Sequence, residues 1–337
     1  MTRQASPILS VWKLKKYFPI TKGIFSKQSG SVRAVDDISF DVYRGQSFGL
    51  VGESGCGKTT LGRCILRAIE PTSGKVVYSI NGQTIDFTGL EAKALKDMRR
   101  HVQLIFQDPY SSLNARMIIK DIIAEPLVVN KTCPKSEIEN RVGELLKKVG
   151  LLPEYMYKYP HAFSGGQRQR VGIARALALN PNFVVCDEPV SALDVSVQAQ
   201  VLNLLSDLKE ELNLSYLFIS HDLSVVRHIC DRVAVMYVGR MVEVADTDDL
   251  FAAPRHPYTE ALMSSIPVPD PRFRSQKILL SGEVADPSNP PPGCAFHPRC
   301  CYVQEICRER TPELRAVAGS NTLVACHLHG ELSLRGF

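Results

Sequence analysis

A glycine-rich segment at residues 52–59, Gly-Glu-Ser-Gly-Cys-Gly-Lys-Thr, restricts the possible folds of this 337-residue chain more than any other segment. It follows the apolar run 47–51, which predicts a buried strand, and leads into residues 59–69, whose apolar side chains have helical spacing. Glycines let the backbone wrap around a phosphate, and N–H groups at a helix start point toward it. The spacing therefore predicts a phosphate-binding loop, in which Lys58 reaches the β- and γ-phosphates and Thr59 binds Mg²⁺.

Strand and helix patterns alternate along much of the first 250 residues. Such alternation indicates an α/β fold with a mainly parallel sheet. Residues 110–163 interrupt it and are predicted to form an all-helical insertion. Strands are predicted at 32–35, 38–42, 47–51, 102–106, 183–186, 216–219 and 232–236, and helices at 59–69, 164–179, 197–212 and 223–229.

Composition excludes several classes of protein. The 40 Lys and Arg against 35 Asp and Glu leave a net charge of +5, too small to indicate a nucleic-acid partner. The longest apolar run, 233–238, is far shorter than the ~20 residues of a membrane-spanning helix. The basic amino terminus lacks the apolar core of a secretory signal. We therefore expect a protein without membrane spans, located in the cytoplasm.

Two carboxylates, Asp187 and Glu188, follow the apolar residues 183–186. An acidic pair at the end of one strand is by itself weak evidence, since most such pairs are solvated. After a phosphate-binding loop, the pair predicts a hydrolytic site. Asp187 would hold Mg²⁺, and Glu188 would polarise the attacking water.

The segment Ser164-Gly-Gly-Gln167 begins another predicted helix. Taken alone it is a helix cap. With the preceding motifs, the chain resembles the nucleotide-binding subunit of an ATP-binding-cassette (ABC) transporter, in which this helix end faces ATP held by the opposite subunit. The resemblance implies an α/β P-loop fold with a RecA-like core, an antiparallel β subdomain and a helical subdomain at about 110–178, all within a nucleotide-binding domain at 1–250.

The same resemblance assigns roles to single residues. Gln107 matches the Q-loop glutamine, residues 191–194 match the D-loop, and His221 matches the switch histidine. Phe18 is the candidate for stacking on adenine, with Tyr17 as the alternative. The implied catalytic residues are Glu188, His221 and Gln107, and the implied Mg²⁺ ligands are Thr59, Gln107 and Asp187. The implied ATP-binding residues are Phe18, Gly52, Ser54, Gly55, Cys56, Gly57, Lys58, Thr59, Thr60, Gln107, Ser164, Gly165, Gly166, Gln167 and Asp187.

The segment 254–262 and the cysteine-rich region after it resemble the C-terminal region of dipeptide and oligopeptide importer ATPases, here at 251–337. This implies an ATPase that powers peptide import, peripheral on the cytoplasmic face of the inner (plasma) membrane. Its implied partners are two transmembrane permease subunits, a second ATPase subunit that is a paralogue, and an extracytoplasmic solute-binding protein. The alternatives are a nickel or glutathione importer and a soluble regulatory P-loop ATPase with a metal-binding tail.

Five of the ten cysteines, Cys294, Cys300, Cys301, Cys307 and Cys326, cluster in this C-terminal region. Disulfides are rare in a reducing cytosol, so a metal site is expected. The spacing matches neither the C-x₂₋₄-C of structural zinc nor that of ferredoxins, so it does not identify the metal. The resemblance implies a [4Fe–4S] cluster on Cys294, Cys300, Cys307 and Cys326, with zinc or reduced thiols as alternatives.

Overall fold

A computed structural model of the chain describes residues 6–22, 27–267 and 277–336. The strands are β1 (Pro7–Lys22), β2 (Lys27–Tyr43), β3 (Ser47–Val51), β4 (Ser73–Ile80), β5 (Gln83–Asp86), β6 (Val102–Ile105), β7 (Phe183–Asp187), β8 (Ser215–Ser220), β9 (Arg232–Tyr237), β10 (Arg240–Asp246), β11 (Arg315–Ala316) and β12 (Leu323–Val324). The α-helices are α1 (Lys58–Ile65), α2 (Ala92–Met98), α3 (Ile119–Asn130), α4 (Ile138–Lys148), α5 (Gly165–Leu177), α6 (Val195–Leu212), α7 (Leu223–Ile229), α8 (Thr247–Ala252), α9 (Pro257–Ser264) and α10 (Glu305–Glu309).

The chain divides into two compact units. The first comprises Met1–Leu9, Val42–Gln46 and Val77–Ile219, and the second comprises Ser10–Asp41, Ser47–Val76 and Ser220–Phe337. The boundary between residues 250 and 251 and the helical subdomain at about 110–178 stay predictions.

Three parallel strands form the core of the first unit. β7 pairs with β6, with Phe183 opposite Val102, and with β8, with Phe183 opposite Ser215. Every residue of β7 and β8 is buried. Strands covered on both faces read as continuous apolar runs, which is why residues 183–186 are uninterrupted Phe-Val-Val-Cys. The polar residue Asp187 therefore comes at the carboxyl end of the strand.

Helices α3 to α6 belong to the same unit. On α4, the apolar residues Val142, Leu145 and Leu146 are buried. Leu145 and Leu146 follow Val142 by three and four residues, so the three side chains share one face of the helix. Helix α6 begins at an N-cap, Asp194, whose side chain accepts a hydrogen bond from the N–H of Val197. It ends at Asn213, which has a left-handed backbone typical of a helix C-terminus.

In the second unit, β3 pairs in parallel with β9, with Leu50 opposite Ala234. β9 continues through a two-residue turn into the antiparallel strand β10. The C-terminal strand β12 adds to the other edge of β10, with Val324 opposite Glu243, and β11 pairs with β12. The C-terminal region thus extends the sheet that contains the strand before the phosphate-binding loop.

Three of the predicted elements differ from those in the structure. Residues 27–43 form one continuous strand instead of two short ones, because pairing along β1 carries the strand through the polar residues between them. Helix α1 ends at Ile65, four residues earlier than predicted, where Arg67 takes a left-handed backbone. Residues 110–163 contain α3, α4 and three short 3₁₀ helices linked by turns.

Strands β1, β4, β5, β10, β11 and β12 have no counterpart among the predicted elements. β4 and β5 form an antiparallel hairpin in which Val77 lies opposite Asp86. Within the described ranges, none of the helices has both the length and the apolar character required to cross a membrane.

Candidate nucleotide-binding site

The phosphate-binding loop predicted at 52–59 joins β3 to α1 in the second unit. Lys58 is the first residue of α1 and only 5% exposed. Its ammonium group donates to the carbonyl oxygens of Gly52 (2.7 Å) and Glu53 (2.9 Å), which draws the loop around the lysine. Helix α1 has no side-chain cap hydrogen bond at Gly57. The backbone N–H groups of a first helical turn point toward the helix N-terminus, as at other anion-binding helix starts.

Gly57, the residue before Lys58, cannot be replaced by a larger residue without distortion. Its φ of +106° is in the left-handed range, and a Cβ atom there would lie 2.0 Å from the carbonyl oxygen of Ala34. Of the other predicted ATP-binding residues in the loop, Ser54 and Gly55 are exposed, Gly52 and Cys56 are buried, and Thr59 and Thr60 are half-buried. The loop therefore presents its central residues outward.

The acidic pair at the end of β7 lies beside Gln107 in the first unit. Asp187 is 5% exposed, and Glu188 is the next residue. Glu188 has a φ of +45°, a left-handed backbone conformation that costs a non-glycine residue about 1–3 kcal/mol. The Glu188 N–H donates to the carbonyl of Ile219 (3.0 Å), and its carboxylate accepts a hydrogen bond from Gln107 (3.0 Å). The structure thus brings together three of the residues assigned to catalysis and Mg²⁺ binding.

The helix start at residues 164–167 forms a capping box in the first unit. The Gln167 N–H donates to Ser164 Oγ (3.3 Å), and the Ser164 N–H donates to Gln167 Oε1 (3.0 Å). Gly166 is buried, and a Cβ atom there would lie 2.3 Å from Val197 Cγ1, so this turn packs closely on α6. The remaining residue of the motif, Gly165, is half-buried.

Helix α5 contacts the segment that follows Gln107. The Arg168 guanidinium lies 4.2 Å from the centre of the Tyr110 ring, and Arg175 donates to the carbonyl of Ser112 (2.7 Å). These contacts join the Ser164–Gln167 helix to the residues after the Q-loop glutamine.

The D-loop and His221 occupy loops after strands. Ser191 Oγ donates to the carbonyl of Glu188 (3.1 Å), and Asp194 caps α6. Hydrogen bonds from Ser196 and from the N–H of Val197 lower the pKa of the Asp194 carboxyl. His221 is exposed and immediately precedes Asp222, which caps α7.

Of the two aromatic candidates for adenine, Tyr17 is engaged in a polar network. Its hydroxyl donates to Asp36 (2.5 Å), which also accepts from the guanidinium of Arg240 (2.7 Å). Burial, with the hydrogen bond to Asp36, raises the pKa of Tyr17 to about 12. Phe18 is 37% exposed, with the Lys16 ammonium 4.9 Å from its ring centre. The assignment of Phe18 to adenine stays a prediction.

The C-terminal region encloses a small cavity in the second unit. All four cysteines assigned to a cluster line it, whereas Cys301 is exposed and does not. The other lining residues are His256, Pro257, Phe296, His297, Pro312, His327 and Leu328.

The surroundings of these cysteines shift the thiol pKa values in opposite directions. Backbone N–H groups of Phe296, Tyr302 and Leu328 donate to the sulfur atoms of Cys294, Cys300 and Cys326 respectively. Burial still raises the pKa of these three thiols to about 11. A metal ion that binds these sulfur atoms displaces the thiol protons and stabilises the thiolates.

The histidines near this cavity are engaged elsewhere. His297 Nδ1 lies 2.9 Å from the Cys294 carbonyl, and His327 Nε2 lies 2.8 Å from the Arg310 carbonyl. Each of these nitrogens donates its proton, because a carbonyl oxygen only accepts. Among the described residues, no three His, Cys, Asp or Glu side chains are grouped as ligands of a single metal ion.

Sequence reasoning missed Tyr258 and Arg299 as neighbours of the phosphate-binding loop. The Tyr258 hydroxyl accepts the N–H of Glu53 (2.9 Å), and Arg299 forms a salt bridge with the Glu53 carboxylate (2.7 Å). No motif or spacing links positions so far apart in the sequence, so no signal in a single chain could have found them.

A P-loop, an acidic strand end and a capped Ser-Gly-Gly helix start are each features of ATP-binding-cassette ATPases. Residues 35–191 match the family described as "ABC transporter". The chain has a TM-score of 0.61 and 28% identity to cbiO1 from Clostridium perfringens, a part of the ABC transporter complex cbiONQ, over 73% of this chain and 90% of that one. It has the same TM-score and 26% identity to a dimeric ATP-binding cassette bound to ADP and Pi, over 71% of this chain and 98% of that one. The fold class predicted from the sequence is confirmed.

A second match, at residues 242–307, is to the family described as "Oligopeptide/dipeptide transporter, C-terminal region". The chain is 51% identical to the oligopeptide transport ATP-binding protein AppF of Bacillus subtilis, over 96% of this chain and 97% of AppF. It is 49% identical to the dipeptide transport ATP-binding protein DppF of Haemophilus influenzae, over 97% of this chain and 98% of DppF. The chain belongs to the oligopeptide/dipeptide branch of the ABC transporter ATP-binding proteins.

Proposed function

We propose that this chain binds and hydrolyses ATP to power the import of dipeptides or oligopeptides through a membrane ABC transporter. The observation that carries the proposal is similarity at 51% identity over 96% of the chain, C-terminal region included, to an oligopeptide transport ATP-binding protein. Its partners would be two transmembrane permease subunits, a second ATPase subunit that is a paralogue, and a solute-binding protein. The chain would lie on the cytoplasmic face of the plasma membrane.

In the proposed reaction, a water molecule attacks the γ-phosphorus of ATP, the Glu188 carboxylate accepts the proton of that water, and ADP leaves. Gln107 orients the Glu188 carboxylate through the 3.0 Å hydrogen bond, and His221 would contact the γ-phosphate. Lys58 would neutralise the β- and γ-phosphates. The Ser164–Gln167 helix start would face ATP held by the second ATPase subunit.

The donor atoms assigned to Mg²⁺ fit that ion, which prefers oxygen ligands. They are the Thr59 hydroxyl, the Gln107 amide oxygen and the carboxylate of the buried Asp187. When bound, Mg²⁺ would neutralise charge on the phosphate oxygens.

The function is tested by deleting the gene and measuring uptake of labelled dipeptides, longer peptides, glutathione and Ni²⁺. We expect loss of peptide uptake, restored by the wild-type chain but not by the Glu188→Gln variant. Loss of Ni²⁺ or glutathione uptake with peptide uptake intact would assign the chain to a related importer. Normal uptake of every solute, with ATP hydrolysis by the isolated chain, would favour a regulatory ATPase.

We also propose that a [4Fe–4S] cluster stabilises the structure of the C-terminal region. Its ligands would be Cys294, Cys300, Cys307 and Cys326. The convergence of these four thiols on one cavity, with N–H donors to three of the sulfurs, supports this assignment. A four-iron cluster keeps its cysteine sulfurs farther apart than a single ion does, because each binds a different iron atom. The lack of a three-ligand grouping for a single ion among the described residues is therefore compatible with a cluster.

Protein purified without oxygen should be brown and contain about four irons and four sulfides per chain. Cys300→Ser should remove the colour, whereas the matched control Cys301→Ser at the adjacent exposed position should retain it. A colourless wild-type protein with one equivalent of zinc would contradict the cluster.

A further inference from the structure

Glu53, the second residue of the phosphate-binding loop, is held by side chains from the C-terminal region. Its carboxylate accepts two hydrogen bonds from the Arg299 guanidinium, at 2.7 Å from Nη1 to Oε2 and 3.1 Å from Nη2 to Oε1. Its backbone N–H donates to the Tyr258 hydroxyl at 2.9 Å. The side chain and the backbone of one loop residue are therefore both fixed from outside the loop.

Both contacting side chains are themselves immobilised by packing. Tyr258 is fully buried, with its ring centre 4.7 Å from that of Tyr237 and 5.3 Å from that of Phe296. The Arg299 side chain is 8% exposed and belongs to a single 3₁₀ turn, His297–Arg299. A bidentate arginine–carboxylate pair fixes orientation as well as distance.

The turn that carries Arg299 is also part of the cysteine cavity. The His297 N–H donates to the Cys294 carbonyl (3.0 Å), and the next residue after Arg299 is Cys300. Phe296 both lines the cavity and packs on Tyr258. The geometry of the cysteine cavity and the position of the phosphate-binding loop thus depend on the same short segment.

The charge of Glu53 is the reason that this contact bears on nucleotide binding. The Glu53 carbonyl accepts a hydrogen bond from the Lys58 ammonium (2.9 Å), the group assigned to the β- and γ-phosphates. A carboxylate in the same loop would repel a bound polyphosphate unless a cation neutralised it. Arg299 supplies that cation.

We propose that Arg299 and Tyr258 are positioning residues for ATP: Arg299 cancels the Glu53 charge and Tyr258 fixes the Glu53 backbone, so the C-terminal region sets the affinity of the phosphate-binding loop. This inference rests on the proposed binding of ATP at that loop. It assigns to the C-terminal region a part in nucleotide binding in addition to any metal that the cysteines hold.

The test is a double-mutant cycle on the full chain, read as the Kd for Mg²⁺–ATP and, in the assembled transporter, as KM against kcat. Arg299→Gln should weaken ATP binding about tenfold and raise KM with little change in kcat, as expected when a charge-assisted contact is lost from the binding step. Glu53→Gln should have a smaller effect. The double variant Glu53→Gln/Arg299→Gln should regain most of the affinity lost in Arg299→Gln, because the unpaired carboxylate is gone.

A merely structural role would not produce this rescue. Arg232→Gln is the matched control: Arg232 lies in the same unit and donates to the carbonyl of Asn321 in the C-terminal region (3.2 Å), so its loss should lower the melting temperature at unchanged ATP affinity. Unchanged affinity in Arg299→Gln, or a double variant as weak as Arg299→Gln alone, would overturn the inference. If the wild-type chain bound no ATP, the proposed function itself would fail.

Tyr258→Phe provides an independent arm in case Arg299→Gln does not fold. It keeps the buried ring and removes only the oxygen that accepts the Glu53 N–H. We expect ATP binding to weaken severalfold at an unchanged circular dichroism spectrum. Affinity equal to that of the wild type would count against the role of Tyr258 and against the inference.

Discussion

Gln107 donates a hydrogen bond of 3.0 Å from its side-chain amide to Oε2 of Glu188, a residue 81 positions later in the chain. The two residues meet because they follow β6 and β7, which are parallel neighbours whose carboxyl ends lie at the same edge of the sheet. The left-handed backbone of Glu188 turns the chain out of β7 at that point. The orientation of the carboxylate is therefore set by the sheet and by one amide.

Glu188→Gln is expected to retain ATP binding and to slow hydrolysis by about 10²–10⁴-fold, because an amide cannot accept the proton of the attacking water. Equilibrium binding of ATP and single-turnover hydrolysis check both parts. Glu91→Gln, at an exposed position before α2, is the control and should hydrolyse ATP normally. Full-speed hydrolysis by Glu188→Gln would remove Glu188 from the catalytic role.

Lys58→Ala should weaken Mg²⁺–ATP binding by about tenfold or more, since hydrogen bonds to charged groups are worth about 1.5–3 kcal/mol. Titration with a fluorescent ATP analogue measures the loss. Lys93→Ala removes an exposed lysine on α2 and should leave the affinity unchanged. Equal affinities in the two variants would show that phosphate binds elsewhere.

Gly166→Ala and Gly172→Ala compare two glycines in the same helix, α5. A Cβ atom at Gly166 would lie 2.3 Å from Val197 Cγ1, so this variant should lose about 1–3 kcal/mol of stability by overpacking. A Cβ atom at Gly172 would meet nothing within 4 Å, so that variant should gain about 0.5–1 kcal/mol from helix propensity. Urea unfolding gives both values, and stabilisation by Gly166→Ala would contradict the close packing of α5 on α6.

The free energy of unfolding is expected to depend on pH because the pKa of the Asp36 carboxyl differs between the native and unfolded states. Burial raises its pKa, but the hydrogen bonds from Tyr17 and Arg240 outweigh that effect, and the pKa lies below its ordinary value. The native state therefore binds the Asp36 proton less tightly than the unfolded state does. The resulting stabilisation is present above the unfolded pKa of about 3.9. It is lost as the pH falls through the pKa of Asp36 in the native state.

Asp36→Asn should therefore lower the free energy of unfolding by about 1.5–3 kcal/mol at neutral pH, and by much less in acid. Urea unfolding at neutral and acid pH measures the difference. Tyr17→Phe removes one of the two donors and should reduce the same pH dependence in part. An Asp36→Asn effect that is equal at both pH values would show that the carboxylate charge contributes nothing.

Local chemistry made much of the fold and site predictable. The strand–loop–helix context of residues 47–69 follows from apolar runs and glycine spacing, because backbone freedom and helix dipoles act within a few residues. The same holds for β7 with its terminal acids and for the cap formed by Ser164 and Gln167. Such features depend on neighbours in sequence, so one chain is enough to find them.

Other strands could not be predicted because they form only by pairing with neighbouring strands. Residues 27–43 contain polar positions that interrupt the apolar pattern, and a single strand forms there because its backbone bonds to β1. β12 has two residues and forms only by pairing with β10 on one side and β11 on the other. The stability of such strands comes from their partners, and β propensity says little about it.

The sequence by itself determined the phosphate-binding loop, the acidic strand end, the capped helix start and the set of cysteines. Only the tertiary structure decided that four of those cysteines line one cavity while Cys301 stays outside it. It also decided that Arg299, 246 residues away, neutralises Glu53. The physical reason is that such contacts form where sheet pairing and core packing bring distant segments together. The short-range patterns of a single sequence do not show which distant segments will meet.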